Sequence, residues 1–344
     1  MQNSPKAGDP DAISLGRALI ASGRVGCIVL AGGDGSRLGW DGPKGTFPLS
    51  LVKQKSLFQM MEERVHAASA HFKTKLKLAM MTSPLNHEVT EEALTDTPCF
   101  MQGVLPLLDA EQQPLEETRP NGNGEVLKYF CASGLYDTWK KEGVEYVQVV
   151  LVDNPLAEPY DPNLIGVHFM KKAEVTLKAV NKKHPEEKVG VIGKKEGKVC
   201  IIEYTENPPA EWMLANTSLF CFSMDFAKKV SDIELPFHTV KKYLDGKPVF
   251  KRECFIFDLL AHSEKTEVLL YPREETFAPL KERADVGAVQ RALLERDRKA
   301  YHKLTGVEPE ERIFELHPSF HFPTDELKEK WQGRPLPDGS YIDP

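Results

Sequence analysis

Three short apolar runs, VGCIVLA at 25–31, LKLAMMT at 76–82 and YVQVVLV at 146–152, constrain the fold of this chain more than any other feature. Each suits a buried strand, and longer amphipathic segments separate them, the alternation expected of a parallel sheet covered by helices. Between the first two runs, Ser56 followed by Gln59 at the third position has the pattern of a capping box. Leu57, Met60, Met61, Arg64, Val65 and Ala68 then recur at helical spacing. After Asp153 the pattern changes to shorter strands with turns, AEVTLKAV at 173–180, VGVIGKKEGKVCIIEY at 189–204 and SLFCFS at 218–223, which adds a mixed sheet to the parallel core. Val286 to Thr305 reads as a charged helix, and GRPLPDGSYIDP at 333–344 as a proline- and glycine-rich tail with little to bury. The organisation expected is an N-terminal segment 1–24, one body over 25–284 and a C-terminal helical segment and tail over 285–344. No internal repeat or low-complexity block interrupts it.

With 344 residues, 41% hydrophobic and 28% charged, the chain has the composition of a folded globular protein. Its net charge of -7 gives no general attraction to nucleic acid or to an anionic membrane, so any basic site must be local. The six cysteines lie in mostly apolar surroundings with no C-x-x-C pair and no zinc spacing, which suits buried thiols in a reducing compartment. The start MQNSPKAGDPDA lacks a basic stretch followed by an apolar one, and no run approaches the roughly 18 apolar residues of a membrane helix. A cytoplasmic protein is expected.

Directly after the first run comes LAGGDGSRLGWDGPKGTF (30–47), with glycines at 32, 33, 35 and 39 and cations at Arg37 and Lys44. A strand feeding into glycines lets backbone N–H groups approach phosphate oxygens that a side chain would keep away. The Rossmann fingerprint fails, since Leu38 stands where its third glycine is needed, and the P-loop pattern has no match around Lys44. What remains is Gly32, Gly33 and Gly35 with two fixed cations, an arrangement suited to a triphosphate whose departing part must be neutralised. A tight surface turn with solvated charges is the plain alternative.

Two further places carry chemistry. Asp153 follows VQVVLV and is therefore expected at the carboxyl end of a buried strand, where ligands of open parallel sheets bind. Taken alone, it serves a turn before Pro155 equally well. In PNGNGE (120–125), Gly122 and Gly124 flank Asn123, a loop able to present backbone groups to a planar base but by itself an ordinary turn.

The run LAGGDGSRLGWDGPKG resembles the uridylyltransferase signature of the eukaryotic-type UDP-N-acetylhexosamine pyrophosphorylases and their UDP-sugar pyrophosphorylase relatives. FMQGVLPLLD (100–109), RPNGNGEVLKYF (119–130), VVLVDNPLAEPYDPNLIGVHF (149–169), VGVIGKKEGKVCIIEYTE (189–206), MLANTSLFCFS (213–223) and FIFDLLAHSEKTEVLLYPREETFAPLKERAD (255–285) resemble family segments in the same order, so that the likeness runs from Val25 to Asp285. It implies a Rossmann-like α/β nucleotidyltransferase fold, with a mixed central sheet flanked by helices. It also implies a magnesium-assisted reaction of UTP with a sugar 1-phosphate that yields a UDP-sugar and pyrophosphate. Carried over residue by residue, the resemblance gives phosphate handling to Arg37, Lys44 and Lys281 and the metal, Mg²⁺, to Asp153. Uracil falls to Gln102 and Gly122, and the sugar to Asn123, Glu203 and Asn216. Asp34 and Ser36 in the glycine loop, TFPLS after Pro-Lys-Gly and the turn GNGE depart from the family pattern. They leave the sugar open: N-acetylglucosamine 1-phosphate is the expected substrate, glucose 1-phosphate the alternative, and a non-catalytic nucleotide-sugar sensor the reading from another class. Oligomeric state is not legible.

Overall fold

In a computed structural model, which describes residues 5–344, the first two apolar runs form β1 (Val25–Leu30) and β2 (Lys77–Thr82), followed by β3 (Cys99–Met101). A hairpin, β4 (Val104–Leu108) and β5 (Pro114–Pro120), leaves the sheet before the third run returns as β6 (Tyr146–Leu151). Next come β7 (Val175–Asn181), the hairpin β8 (Val191–Lys195) and β9 (Lys198–Ile202), and the long β10 (Leu214–Ser223). A third hairpin, β11 (His238–Leu244) and β12 (Lys247–Glu253), joins β4 and β5 in a separate sheet, and β13 (Thr266–Leu270) closes the main one.

The main sheet runs β13-β7-β10-β6-β1-β2-β3, with β8 and β9 attached beside β10. β1 pairs in parallel with both β2 and β6, whereas β10 lies antiparallel between β6 and β7, so the sheet is mixed as the sequence predicts. The chain moves outward from β1 through β2 to β3 and then crosses to β6 on the other side of β1. Loops leaving the carboxyl ends of β1 and β6 therefore diverge and open a crevice, the place where open α/β sheets bind ligands.

β1 is buried along its whole length because each face meets its own core. Cys27 and Val29 pack with Phe58, Met61 and Val65 of the helix Leu57–Phe72, while Ile28 and Leu30 pack with Phe130 and Trp139. The capping box forms as expected: Gln59 N–H donates to Ser56 Oγ at 3.2 Å and Ser56 N–H to Gln59 Oε1 at 2.9 Å. The N-terminal helix Pro10–Ala21 crosses the helix Pro162–Met170 at two glycines. A Cβ on Gly16 or on Gly166 would stand 1.8 Å from a backbone carbonyl oxygen of the other helix, so only glycine permits this crossing.

The helix Val286–Thr305 forms as predicted and faces two ways. Val289 and Leu293 enter the core beside β1, and Tyr301 anchors a second cluster with Phe314, Phe320 and Trp331. The tail corrects the sequence reading. Leu336 and Ile342 are buried in that aromatic cluster, and β15 (Tyr341–Ile342) pairs with β14 (Glu315–Leu316). Few apolar side chains suffice where large aromatic rings already wait for them, and a composition-based reading of the tail cannot register that. Among the described residues no helix is long and apolar enough to cross a membrane.

Candidate active site

The loop after β1 is held in shape by its own backbone. Gly35 N–H donates to Gly42 O at 2.8 Å and Lys44 N–H to Gly33 O at 3.1 Å, closing the loop on itself. Asn86 anchors its start, with Nδ2 donating to the carbonyls of Ala31 at 2.9 Å and Gly33 at 3.3 Å. Asp34 and Ser36, the departures from the family pattern, lock the turn: the hydroxyl and N–H of Ser36 both donate to Asp34 Oδ1. The Ser36 hydroxyl hydrogen bond is the largest influence on the Asp34 carboxyl and holds it below the usual carboxylate range despite partial burial. Among the described residues the N–H groups of Gly32, Gly33 and Asp34 have no acceptor, which leaves three donors side by side for a ligand. Gln102, only 7% exposed, lies across Gly32, where a Cβ would stand 2.8 Å from its Nε2.

Lys44 is not a solvated loop cation. It is 5% exposed, and its ammonium donates to Asp153 Oδ2 at 3.0 Å and to Leu280 O at 3.2 Å. Asp153 stands just beyond β6, where the sequence predicts it, and its carbonyl accepts the Leu280 N–H at 2.7 Å. The other carboxylate oxygen, Oδ1, is buried with no partner. A buried carboxylate oxygen without a donor is uncommon and fits a cation supplied from outside the chain. Among the described residues no group of three or more His, Cys, Asp or Glu side chains is placed to hold a metal, so any Mg²⁺ here would rest on Asp153 and substrate oxygens. That composition suits Mg²⁺, which keeps few protein ligands.

Asn154 ties this centre to the segment bearing Lys281. Its Nδ2 donates to Thr276 O at 2.8 Å, and its Oδ1 accepts the Ala278 N–H at 3.1 Å. Lys281 and Arg37 are both exposed, and neither forms an ion pair within 4.0 Å among the described residues. Both side chains are therefore available to anions.

Glu203 and Asn216 meet at Gly190. Asn216 N–H donates to Gly190 O at 2.8 Å, and a Cβ on Gly190 would stand 2.8 Å from Glu203 Oε1. Burial pushes the Glu203 carboxyl above the usual range, and the charge of Lys281 partly offsets this. The Asn216 side chain is already engaged: its Oδ1 accepts the Ser218 N–H at 2.9 Å and its Nδ2 donates to Ser218 Oγ at 3.1 Å. This closes the bulge in β10 where Ser218 adopts φ 56°. Asn123 Oδ1 accepts the Ile256 N–H at 3.0 Å, leaving the amide nitrogen for a ligand. Gly122, at φ 87°, runs so close to Cys254 that a Cβ would lie 2.3 Å from its carbonyl oxygen.

The structure thus joins Lys44, Asp153 and the Lys281 segment directly, sets Gln102 on Gly32, and gathers Glu203 and Asn216 around Gly190. Arg37 and the Gly122–Asn123 turn have no hydrogen bond to the Lys44–Asp153 pair. Asn86, Asn154 and Gly190 are additions that spacing alone does not single out. The one available signal was Asn154 beside Asp153 in DNP.

These features define a doubly wound α/β protein whose crevice presents free backbone donors, cations and one open carboxylate. The chain belongs to the UTP–glucose-1-phosphate uridylyltransferase family, whose model matches residues 17–329. It is 30% identical over 315 residues to UDP-N-acetylglucosamine diphosphorylase 2 of Arabidopsis thaliana, covering 78% of this chain and 63% of that protein. Against UDP-N-acetylglucosamine pyrophosphorylase of Saccharomyces cerevisiae it is 30% identical over 316 residues, covering 78% and 66%. The chain therefore spans just under two thirds of the length of these two relatives. A solved structure from Entamoeba histolytica, described as a candidate UDP-N-acetylglucosamine pyrophosphorylase, superposes with a TM-score of 0.82 at 26% identity, covering 97% of this chain and 96% of that one.

Proposed function

We propose that this chain is a uridylyltransferase that converts UTP and N-acetylglucosamine 1-phosphate to UDP-N-acetylglucosamine and pyrophosphate. The observation that carries the reading is the Lys44–Asp153 pair at the sheet's switch point, with one carboxylate oxygen left open. Two relatives at 30% identity are named for that sugar nucleotide, which supports the choice over glucose.

In this reaction an oxygen of the sugar phosphate bonds to the α-phosphorus of UTP as the bond to the leaving pyrophosphate breaks. The protein has to position and neutralise anions, and no nucleophilic side chain or general base is required. The free N–H groups of Gly32, Gly33 and Asp34 receive phosphate oxygens, and Arg37 and Lys281 add charge from the rim. Lys44 stands where the α-phosphate must approach Asp153. Asp153 would hold Mg²⁺, which would supply positive charge to neutralise the phosphate oxygens. Gln102 offers an amide with both donor and acceptor to the uracil edge beside Gly122, and Asn123, Glu203 and Asn216 face the sugar. Six thiols that form no disulfide suit a cytoplasmic setting.

The test is a pyrophosphate-release assay over a panel of nucleoside triphosphates and sugar 1-phosphates. UTP with N-acetylglucosamine 1-phosphate should be the best pair. Equal turnover with ATP or GTP would defeat the uracil assignment, preference for glucose 1-phosphate would select UDP-glucose as product, and binding without turnover would select a sensor.

Glu203 gives a clean test of the sugar side, because its carboxylate has no hydrogen-bond partner among the described residues whereas Asn216 also closes a bulge. Glu203→Ala should raise the KM for the sugar phosphate about 10- to 100-fold, the loss of one or two hydrogen bonds worth about 1–3 kcal/mol. The KM for UTP should stay nearly constant. Equal rises for both substrates would assign Glu203 a structural role.

A further inference from the structure

Arg64 is the most buried arginine of the chain's first half, 4% exposed, and it has no carboxylate within 4.0 Å among the described residues. It sits on the inward face of the helix Leu57–Phe72 at a position where the helical pattern calls for an apolar residue. Its guanidinium instead donates to two carbonyls of one loop, Nη1 to Ala157 O and Nη2 to Pro155 O, both at 2.9 Å. From the other side Arg296, on the helix Val286–Thr305, donates to the same Pro155 carbonyl at 3.1 Å. Burial is the main influence on the Arg64 guanidinium, lowering its pKa to about 9, and the charge of Arg296 acts in the same direction against Glu158 and Asp297.

Two cations converging on one carbonyl oxygen repel each other, and burying a guanidinium without a carboxylate is costly. Packing alone would be served better by Met or Leu at position 64. What the arrangement does achieve is local. Residues 153–158 read DNPLAE, where Pro155 has no N–H, and the loop's own turn contributes one bond, from Ala157 N–H to Asn154 O at 2.8 Å. Asn154 is fixed by its side chain to Thr276 and Ala278, and among the described residues the carbonyls of Pro155 and Ala157 accept hydrogen bonds from the two arginines alone.

We infer that Arg64 and Arg296 are positioning residues that clamp the loop behind Asp153 and so set where its open carboxylate oxygen stands. Arg296 gives the C-terminal segment a part in that placement. The same segment also holds the chain that follows the glycine loop: Gln290 Nε2 donates to Leu49 O at 2.9 Å, and Glu315 Oε2 accepts the N–H groups of Val52 and Lys53 at 2.7 and 3.0 Å. The loop behind Asp153 and residues 49–53 are thereby both tied to the C-terminal segment, through the helix Val286–Thr305 and β14. The metal consequence of the clamp rests on the proposed uridylyltransferase reading; the clamp itself rests on the hydrogen bonds.

The test uses the full chain with Arg64→Met, Arg64→Lys and Arg296→Gln. Hydrogen exchange read by mass spectrometry should show the amides of 154–158 opening about tenfold faster in Arg64→Met and Arg296→Gln, with β1 and β6 unchanged. The Mg²⁺ concentration for half-maximal pyrophosphate release should rise by about tenfold, as for other residues that orient a metal ligand, with the KM for the sugar phosphate unchanged. Arg64→Lys, which can reach one carbonyl of the two, should recover part of both effects. Unchanged exchange in 154–158, or faster exchange spread evenly over the protein with an unaltered Mg²⁺ requirement, would overturn the clamp. If no substrate pair releases pyrophosphate with the wild-type protein, the functional reading fails while the exchange measurement still decides the clamp.

Discussion

Lys44→Ala is expected to lower turnover by about 10²- to 10³-fold, the usual effect of deleting one preorganised charge that faces a phosphoryl transition state. The structure adds a second expectation. Lys44 is buried against Asp153 Oδ2 and Leu280 O, so its removal leaves a carboxylate and a carbonyl without their donor. The variant should therefore lose about 1–3 kcal/mol of stability, toward the lower part of that range because the Asp153 side chain keeps 24% exposure. Lys44→Arg should rescue neither property well, since a planar fork does not fit where a compact ammonium bridges two oxygens. Pyrophosphate release under single-turnover conditions and thermal unfolding without ligand separate the two effects. A variant with normal turnover and a large drop in melting temperature would make Lys44 a structural lysine only. Loss of turnover with an unchanged melting temperature would show that its bonds to Asp153 and Leu280 contribute no net stability when ligand is withheld.

What the sequence could disclose here follows from the range of each interaction. The runs that form β1, β2 and β6, the Ser56–Gln59 capping box and the position of Asp153 after β6 depend on neighbours within a few residues, so periodicity reveals them. The sheet order is also constrained locally, because parallel strands need crossovers. The Lys44–Asp153 pair spans 109 positions and the Lys44–Leu280 bond 236, and no spacing rule connects them. For the same reason Lys44 reads in the sequence as a loop cation beside a ligand and stands in the structure as a buried one. Gly122 and Asn123 show the opposite limit. As residue types they suit a ligand, yet Gly122 also meets a packing demand from Cys254, and Asn123 Oδ1 a backbone N–H from Ile256. A resemblance carries over residue identities without showing how many tasks each side chain already performs. Arg64 makes the point from inside a helix, where an arginine at an apolar position becomes intelligible only once the Pro155 and Ala157 carbonyls are seen beside it.

Asp153→Asn should produce the other large loss, and its pattern tests the metal directly. The substitution preserves size and one acceptor oxygen for Lys44 but removes the negative charge that draws Mg²⁺ from its hydration shell. Turnover at ordinary Mg²⁺ should fall by at least about 10²-fold, with partial recovery at much higher Mg²⁺ or with Mn²⁺. Recovery is expected because the proposed site leans on substrate oxygens and a single carboxylate, so mass action can replace part of what the charge supplied. Binding of UTP without metal should stay constant or tighten slightly, for two reasons. A like charge near the phosphates has gone, and the Lys44 ammonium, relieved of its carboxylate, is free to turn toward the triphosphate. Unfolding without ligand should shift only modestly, since the Lys44 bond survives as a hydrogen bond to the amide oxygen and the partnerless Oδ1 position loses a buried charge. Isothermal titration of UTP with and without Mg²⁺, set beside the Mg²⁺ dependence of pyrophosphate release, resolves these effects. Wild-type turnover with the wild-type Mg²⁺ dependence would remove Asp153 from the metal site and with it the mechanism built on the open carboxylate oxygen.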